Sequence, residues 1–131
     1  MNMESRKNVK KHGIRRFINS FKYSFQGLAY AFKYEQSMTI HVIVCITVIA
    51  LGLLLKINIF EWLVCFILFG LVIATELINS AIEAIVDLIS PNKNELAKIA
   101  KDTASAAVFV FALVAATSGI IIFLPKIINL L

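Results

Sequence analysis

Three long apolar runs constrain the fold of this chain more than any other feature. Residues 38–55, 62–75 and 103–124 contain no Asp, Glu, Lys or Arg. The sequence of 131 residues is 60% hydrophobic and 16% charged, whereas soluble domains carry about 25% charged residues. About 20 apolar residues make a helix that crosses a bilayer. We therefore predict one all-α integral-membrane domain over residues 1–131.

The second run is too short to cross a bilayer by itself. Its 14 residues would extend only about 21 Å as a helix, against a hydrocarbon core of about 30 Å. The helix must continue into the polar sequence beyond it, and Ser90-Pro91 predicts its end near Ile89. We expect membrane helices at 38–55, 62–89 and 103–124. A polar connection at 90–102 would precede the third helix, with Asp102 as its N-cap.

The N-terminal segment has the pattern of a helix at a membrane surface. Residues 1–35 hold eight of the 13 Lys and Arg residues, and apolar side chains recur there at helical spacing from Ile14 to Phe32. We expect a flexible basic tail at 1–13 and an amphipathic interfacial helix at 14–34, attracted to anionic lipid head groups rather than to nucleic acid. The distribution of basic residues places the N-terminus and the 90–102 connection in the cytoplasm of a multi-pass cell-membrane protein.

One face of the second predicted helix carries three carboxylates and an amide. Within an arc of roughly 80° lie Glu76, Asn79, Ser80, Glu83 and Asp87. Charges in or beside a membrane span are costly and are usually functional. Carboxylate oxygens suit Mg²⁺ that binds together with substrate phosphates, and a further carboxylate can accept a proton from a hydroxyl. With cationic side chains nearby, these are the parts of a phosphoryl-transfer site.

The residues alone leave other interpretations open. The face from Glu76 to Asp87, called the polar stripe below, could be a solvated extension of a membrane helix in a scaffold that binds acidic lipids. It could also conduct protons or ions. Asp87 could simply pair with a nearby lysine, and His41 could be a structural hydrogen-bonding group. The sequence contains no phosphate-binding glycine loop, no zinc-type His/Cys cluster and no nucleophile elbow.

Two motifs narrow these alternatives. The sequence Glu76-Leu-Ile-Asn79-Ser80-Ala-Ile-Glu83-Ala-Ile-Val-Asp87, followed by Ala100-Lys101-Asp102-Thr-Ala-Ser105-Ala-Ala-Val108, closely resembles the signature of the small bacterial integral-membrane diacylglycerol kinases, a family that includes undecaprenol kinases. The resemblance extends from about Arg16 to the third apolar run. It implies a lipid kinase that uses ATP and Mg²⁺, with three membrane helices and a surface helix. It also implies a homotrimer with sites shared between subunits.

The resemblance further implies roles for individual residues. Glu76 would be the general base for the lipid hydroxyl, and Asn79 would orient the base or the phosphate. Mg²⁺ on the ATP phosphates would be held by Glu35 and Glu83. Nucleotide contacts would come from Arg16, Tyr23, Lys101 and Asp102, and lipid contacts from Arg16, Glu76 and Ser105.

Two features of the sequence bear on specificity. The extended basic N-terminus and the stretch Thr39-Ile40-His41 resemble Gram-positive members of the family, which favours undecaprenol over diacylglycerol as the acceptor. Some relatives have a histidine in the 90–102 connection where Asn94 stands here. This difference leaves open whether that loop contacts the nucleotide.

Overall fold

In the part of the chain that the computed structural model describes, four helices are joined by short connections. The described residues are 3–92 and 94–130, with the side chains of 13–92 and 94–130. The helices are α1 (Met3–Tyr34), α2 (Gln36–Leu54), α3 (Ile59–Ile89) and α4 (Glu95–Ile128). Three of them, α2, α3 and α4, are long and apolar enough to cross a membrane. The all-α class and the three helices long and apolar enough to span a membrane are therefore confirmed.

Helix α1 forms a compact unit separate from residues 35–131. It is continuous from Met3 to Tyr34, so residues 3–13, which we expected to be a flexible tail, are part of the helix. Residues 1 and 2 of that tail lie outside the described part of the chain. The rings of Phe17 and Phe21, one turn apart, pack edge to face at 5.1 Å. The location of α1 at a membrane surface stays a prediction.

Helices α2 and α3 form an antiparallel hairpin with a capped turn. The Asn58 side chain accepts the backbone N–H groups of Phe60 and Glu61, at 2.9 and 3.0 Å. The Glu61 carboxylate accepts the Asn58 N–H at 2.7 Å, which completes a capping box. This box starts α3 at Ile59, three residues before the predicted start, and our predicted link over 56–61 was too long.

The end of the bundle near this turn is held by close packing and an ion pair. Ile57, Cys65 and Phe123 form a buried apolar cluster, with Trp62 packed against it. Lys126, in the last turn of α4, lies 3.1 Å from the Glu61 carboxylate. The C-terminal end of α4 is thereby fixed beside the start of α3.

Helix α4 begins eight residues before the predicted third span. Its N-cap is Asn94, whose side chain accepts the N–H groups of Leu96 and Ala97 at 2.8 and 3.4 Å. The prediction that Asp102 caps this helix was wrong, because Asn94 supplies the acceptor and no Gly or Pro interrupts residues 95–102. The connection between α3 and α4 is only 90–94.

The helix lengths set the level at which the polar stripe lies. The 19 residues of α2 extend about 28 Å, close to the thickness of a bilayer core. The 31 residues of α3 and the 34 of α4 extend about 46 and 51 Å. The last turns of α3 and the first turns of α4 therefore continue beyond the first turn of α2. The polar stripe begins beside the first turns of α2, at Glu76, and runs out into this region.

Candidate active site

The innermost carboxylate of the stripe is buried between α2 and α3. Glu76 is 3% exposed. The Ser37 hydroxyl donates a hydrogen bond to its Oε1. His41 Nε2 lies 3.8 Å from its Oε2, which is longer than a hydrogen bond. The first two turns of α2 thus supply both polar neighbours of this carboxylate.

Asn79 and Glu83 lie one to two turns further along α3 and form the middle level of the stripe. Asn79 Nδ2 donates to Glu83 Oε1 at 3.2 Å. Asn79 Oδ1 is buried and has no hydrogen-bond partner among the described residues. Ser80 is also buried, but its hydroxyl donates to the Glu76 backbone carbonyl at 3.0 Å and is used within the helix. The amide oxygen of Asn79 therefore lacks the hydrogen-bond partner that buried polar atoms usually have.

The outermost level joins α3 to α4. Lys101 Nζ lies 2.9 and 3.1 Å from the two carboxylate oxygens of Asp87. This contact confirms the interpretation that Asp87 pairs with a nearby lysine, and its partner is the lysine that the resemblance assigns to the nucleotide. Asp87 is exposed, Glu83 is half-buried and Glu76 is buried. The stripe therefore grades from a protected inner end to a solvent-facing outer end over about 16 Å of helix.

Other predicted site residues are not brought to Glu76 by any described contact. Glu35 occupies the N-cap position of α2 and makes no side-chain cap hydrogen bond. Asp102 and Ser105 are exposed on α4. Arg16 and Tyr23 are exposed on α1, the separate unit. The roles of these five residues stay predictions.

The donors at the middle level suit a magnesium ion that arrives with phosphates. Among the described residues, no group of three or more His, Cys, Asp and Glu side chains could hold a metal. The Glu83 carboxylate and the free Asn79 Oδ1 are hard oxygen donors in adjacent turns. Mg²⁺ typically uses one or two carboxylates together with substrate phosphates and water. The residues present fit that mode of binding.

An apolar groove opens beside the inner end of the stripe. Its volume is about 650 Å³, and it lies between α2, α3 and α4. His41 and Val72 line it near Glu76, and small side chains of α4 such as Ala112 and Gly119 line it further along. A buried carboxylate thus adjoins a surface suited to hydrocarbon.

Sequence reasoning missed Ser37 and assigned His41 only a generic structural role. The two residues are four apart, which places them on one face of α2. That spacing was the available signal, but a single serine at the start of an apolar helix is a weak one. The contact with Glu76 comes from the packing of α2 on α3.

Residues 22–123 match the family described as prokaryotic diacylglycerol kinase. The chain belongs to this family of lipid kinases. It is 39% identical over 113 residues to undecaprenol kinase from Bacillus subtilis, covering 86% of this chain and 92% of the relative. It is 40% identical over 98 residues to diacylglycerol kinase from Haemophilus influenzae, covering 75% and 83%.

A third relative is diacylglycerol kinase from Synechocystis, at 36% identity over 113 residues, which is 86% of this chain and 65% of the relative. The chain is therefore a membrane lipid kinase, and ATP is the co-substrate that a kinase requires. The relatives have different lipids in their names, so family membership alone leaves the acceptor lipid undetermined.

Proposed function

We propose that this kinase transfers the γ-phosphate of ATP to the terminal hydroxyl of undecaprenol and so produces undecaprenyl phosphate. The observation that carries the proposal is the buried Glu76 carboxylate, whose Oε2 accepts no described hydrogen bond. It lies beside an apolar groove lined by His41 and Val72. In this proposal the lipid hydroxyl is presented to this oxygen while the adjoining isoprene units lie in the groove.

The likeness to the Bacillus subtilis undecaprenol kinase supports the choice of lipid, because it covers nearly the whole of both chains. The alternative is diacylglycerol, the lipid in the names of the relatives from Haemophilus influenzae and Synechocystis. Its product would be phosphatidic acid. Both lipids present a primary hydroxyl on an apolar body, so the same inner end of the stripe serves either acceptor.

In the proposed mechanism Glu76 is the general base. Its Oε2 accepts the proton of the lipid hydroxyl as the oxygen attacks the γ-phosphorus of ATP. The exclusion of water from the buried carboxylate favours transfer to the lipid over hydrolysis. The reaction needs no covalent enzyme intermediate, because positioning and charge stabilisation supply most of the catalysis in phosphoryl transfer.

The outer levels of the stripe handle the phosphates. Glu83 and the amide oxygen of Asn79 would hold Mg²⁺, with Glu35 as the further ligand that the resemblance implies. When bound, Mg²⁺ neutralises phosphate charge and orients the γ-phosphate. Lys101, held by Asp87, adds positive charge at the solvent-facing end. Arg16, Tyr23 and Asp102 would complete nucleotide binding, and Ser105 would contact the lipid.

The proposal includes an assembly and an orientation. The kinase would be a homotrimer with sites shared between subunits. Helix α1 would lie in the cytoplasmic interface of the membrane, bound to anionic head groups through residues such as Arg15 and Lys22. The α3–α4 connection would face the cytoplasm, where ATP is present.

One assay tests the reaction and the acceptor together. Purified protein in mixed micelles receives ATP and either undecaprenol or diacylglycerol at matched mole fraction, with Mg²⁺ or with a chelator. We expect product only when Mg²⁺ is present. Undecaprenol should be phosphorylated faster than diacylglycerol and with a lower KM, and Glu76→Gln should form no product. A higher kcat/KM for diacylglycerol would overturn the choice of lipid. Turnover retained by Glu76→Gln would overturn the role of Glu76.

A further inference from the structure

The Glu76 carboxylate is held by a helix other than its own. A buried carboxylate is costly unless it is hydrogen-bonded. Ser37 donates to Oε1 and His41 Nε2 lies 3.8 Å from Oε2, and both residues belong to α2. Within the described part of the chain, no side chain of α3 or α4 hydrogen-bonds to this carboxylate. The orientation of the proposed base therefore depends on α2.

The position of Ser37 in α2 explains why its hydroxyl is free for this contact. Hydroxyls inside helices commonly bond to the carbonyl one turn earlier. In this chain Thr47 does so with Ile43 at 2.9 Å, and Thr103 with Ile99 at 2.7 Å. Ser37 lies in the first turn of α2, which starts at Gln36. The helix offers it no carbonyl four residues back, so its single proton is directed across to α3.

The two α2 residues distinguish the two oxygens of Glu76. Oε1 is occupied by the Ser37 hydrogen bond, whereas Oε2 lies near His41 beyond hydrogen-bond distance. A carboxylate fixed at one oxygen cannot rotate freely about its last side-chain bond. Its other oxygen then keeps a constant direction toward an incoming hydroxyl, which is the condition for efficient proton transfer.

We infer that Ser37 and His41 are positioning residues for phosphoryl transfer and act through Glu76. The inference rests on the proposed role of Glu76 as the base. The lipid O–H bond breaks as its proton moves to Oε2, the lipid oxygen bonds to the γ-phosphorus, and the bond from that phosphorus to the β–γ bridging oxygen breaks. ADP leaves with the electron pair, and Glu76 returns its proton to water. Ser37 keeps Oε2 directed at the hydroxyl, and His41 limits its movement on the other side.

The test separates kcat from KM in the full-length protein, using whichever of undecaprenol and diacylglycerol the wild type phosphorylates faster. Ser37→Ala should lower kcat about tenfold or more, the factor expected for a hydrogen bond to a charged group. The KM for ATP should stay within about twofold. Ser37→Thr keeps the hydroxyl and should recover most of kcat. His41→Gln should lower kcat by a smaller factor, about threefold.

Two further variants distinguish loss of the Ser37 hydrogen bond from a change in side-chain packing as the cause of a lower kcat. Thr47→Val also removes a hydroxyl from α2, but that hydroxyl bonds only to the helix backbone, so kcat should not change. Ser37→Cys keeps nearly the same volume with a weak donor and should lose kcat as Ser37→Ala does. The thermal midpoint of each variant identifies any that fails to fold, and Ser37→Cys then replaces Ser37→Ala.

Wild-type kcat in folded Ser37→Ala or Ser37→Cys would overturn the inference. A loss that Ser37→Thr does not recover, or an equal loss in Thr47→Val, would overturn it as well. The Glu76→Gln variant distinguishes a failure of the positioning inference from a failure of the proposed function. An inactive Glu76→Gln beside a fully active Ser37→Ala rejects only the positioning role, whereas an active Glu76→Gln rejects the base itself.

Discussion

Lys101 of α4 is bound to Asp87 of α3 through both carboxylate oxygens, at 2.9 and 3.1 Å. The pair lies on either side of the short connection between the two helices, at the solvent-facing end of the polar stripe. Exposed ion pairs of this kind contribute about 0–1 kcal/mol to stability. The pair therefore matters more for where it places the Lys101 ammonium group than for the stability of the fold.

The first prediction concerns nucleotide affinity. Lys101→Met should raise the KM for ATP about tenfold, because it removes a positive charge from the proposed phosphate-binding end of the stripe. Asp87→Asn should raise the KM for ATP a few-fold, because Lys101 remains but loses the ion pair that holds its ammonium group in place. Both effects are measured as initial rates against ATP at saturating lipid.

The matched control for this prediction is Lys126→Met. It breaks the ion pair with Glu61, at 3.1 Å, at the other end of the bundle. The KM for ATP should stay at the wild-type value in this variant. An equal rise in Lys126→Met would show that the effect of Lys101→Met comes from general loosening of the helices.

The second prediction concerns magnesium. Asn79→Leu removes the buried amide oxygen that lacks a partner in the described structure, and it should raise the Mg²⁺ concentration for half-maximal activity several-fold. Ser80→Ala is the control, because the Ser80 hydroxyl bonds only to its own helix. The measurement is a Mg²⁺ titration at fixed ATP. Identical titration curves for wild type and Asn79→Leu would exclude a role of this oxygen in metal binding.

The third prediction concerns packing at the turn between α2 and α3. A Cβ at Gly52 would lie 2.8 Å from Trp62 Cη2 and 3.1 Å from Ile57 Cδ1, whereas a Cβ at Gly70 would have no neighbour within 4 Å. Gly52→Ala should destabilise the fold by about 1–2 kcal/mol through overpacking. Gly70→Ala should stabilise it by up to about 1 kcal/mol, because alanine favours a helix.

Thermal unfolding of the two glycine variants in one detergent checks this difference. The midpoint of Gly52→Ala should fall below that of the wild type, and the midpoint of Gly70→Ala should not. A fall of the same size in both would mean that loss of glycine itself, and not contact with the Trp62 ring, determines the result.

The fourth prediction concerns the cap of α3. Asn58 accepts two backbone N–H groups and donates its own N–H to Glu61. Asn58→Ala should cost about 1 kcal/mol, while Asn58→Asp keeps the acceptor and should cost much less. The activity of the folded fraction should be unchanged in both, because the cap precedes the first residue of α3 and lies about 27 Å along the helix from Glu76. Unfolding midpoints together with specific activities check both statements.

Much of the fold was predictable because its signals are local. Apolar run length identified the three helices that are long and apolar enough to cross a membrane, and Ser90-Pro91 placed the end of α3 at Ile89 correctly. The helix starts were less accurate, since they depend on which polar side chain caps the first turn. Asn58 and Asn94 are the caps observed, and Asp102 lies inside α4.

The stripe from Glu76 to Asp87 was likewise evident in the sequence, because one face of one helix is set by a fixed angle per residue. The sequence by itself also determined the family, through motifs that lie on continuous segments of chain. The contacts between helices were not evident, and these complete the candidate site. Ser37 and Glu76 are separated by 39 residues, and their contact exists only because α2 packs antiparallel on α3.

Tertiary structure also decided which polar groups are free. It buried Ser80 and Asn79, left Asn79 Oδ1 without a partner in the described residues, and placed Lys101 of α4 on Asp87 of α3. Residue identity and spacing fix which groups share a helix face. Burial and the hydrogen bonds between helices depend on the neighbouring helix, and helix packing sets these.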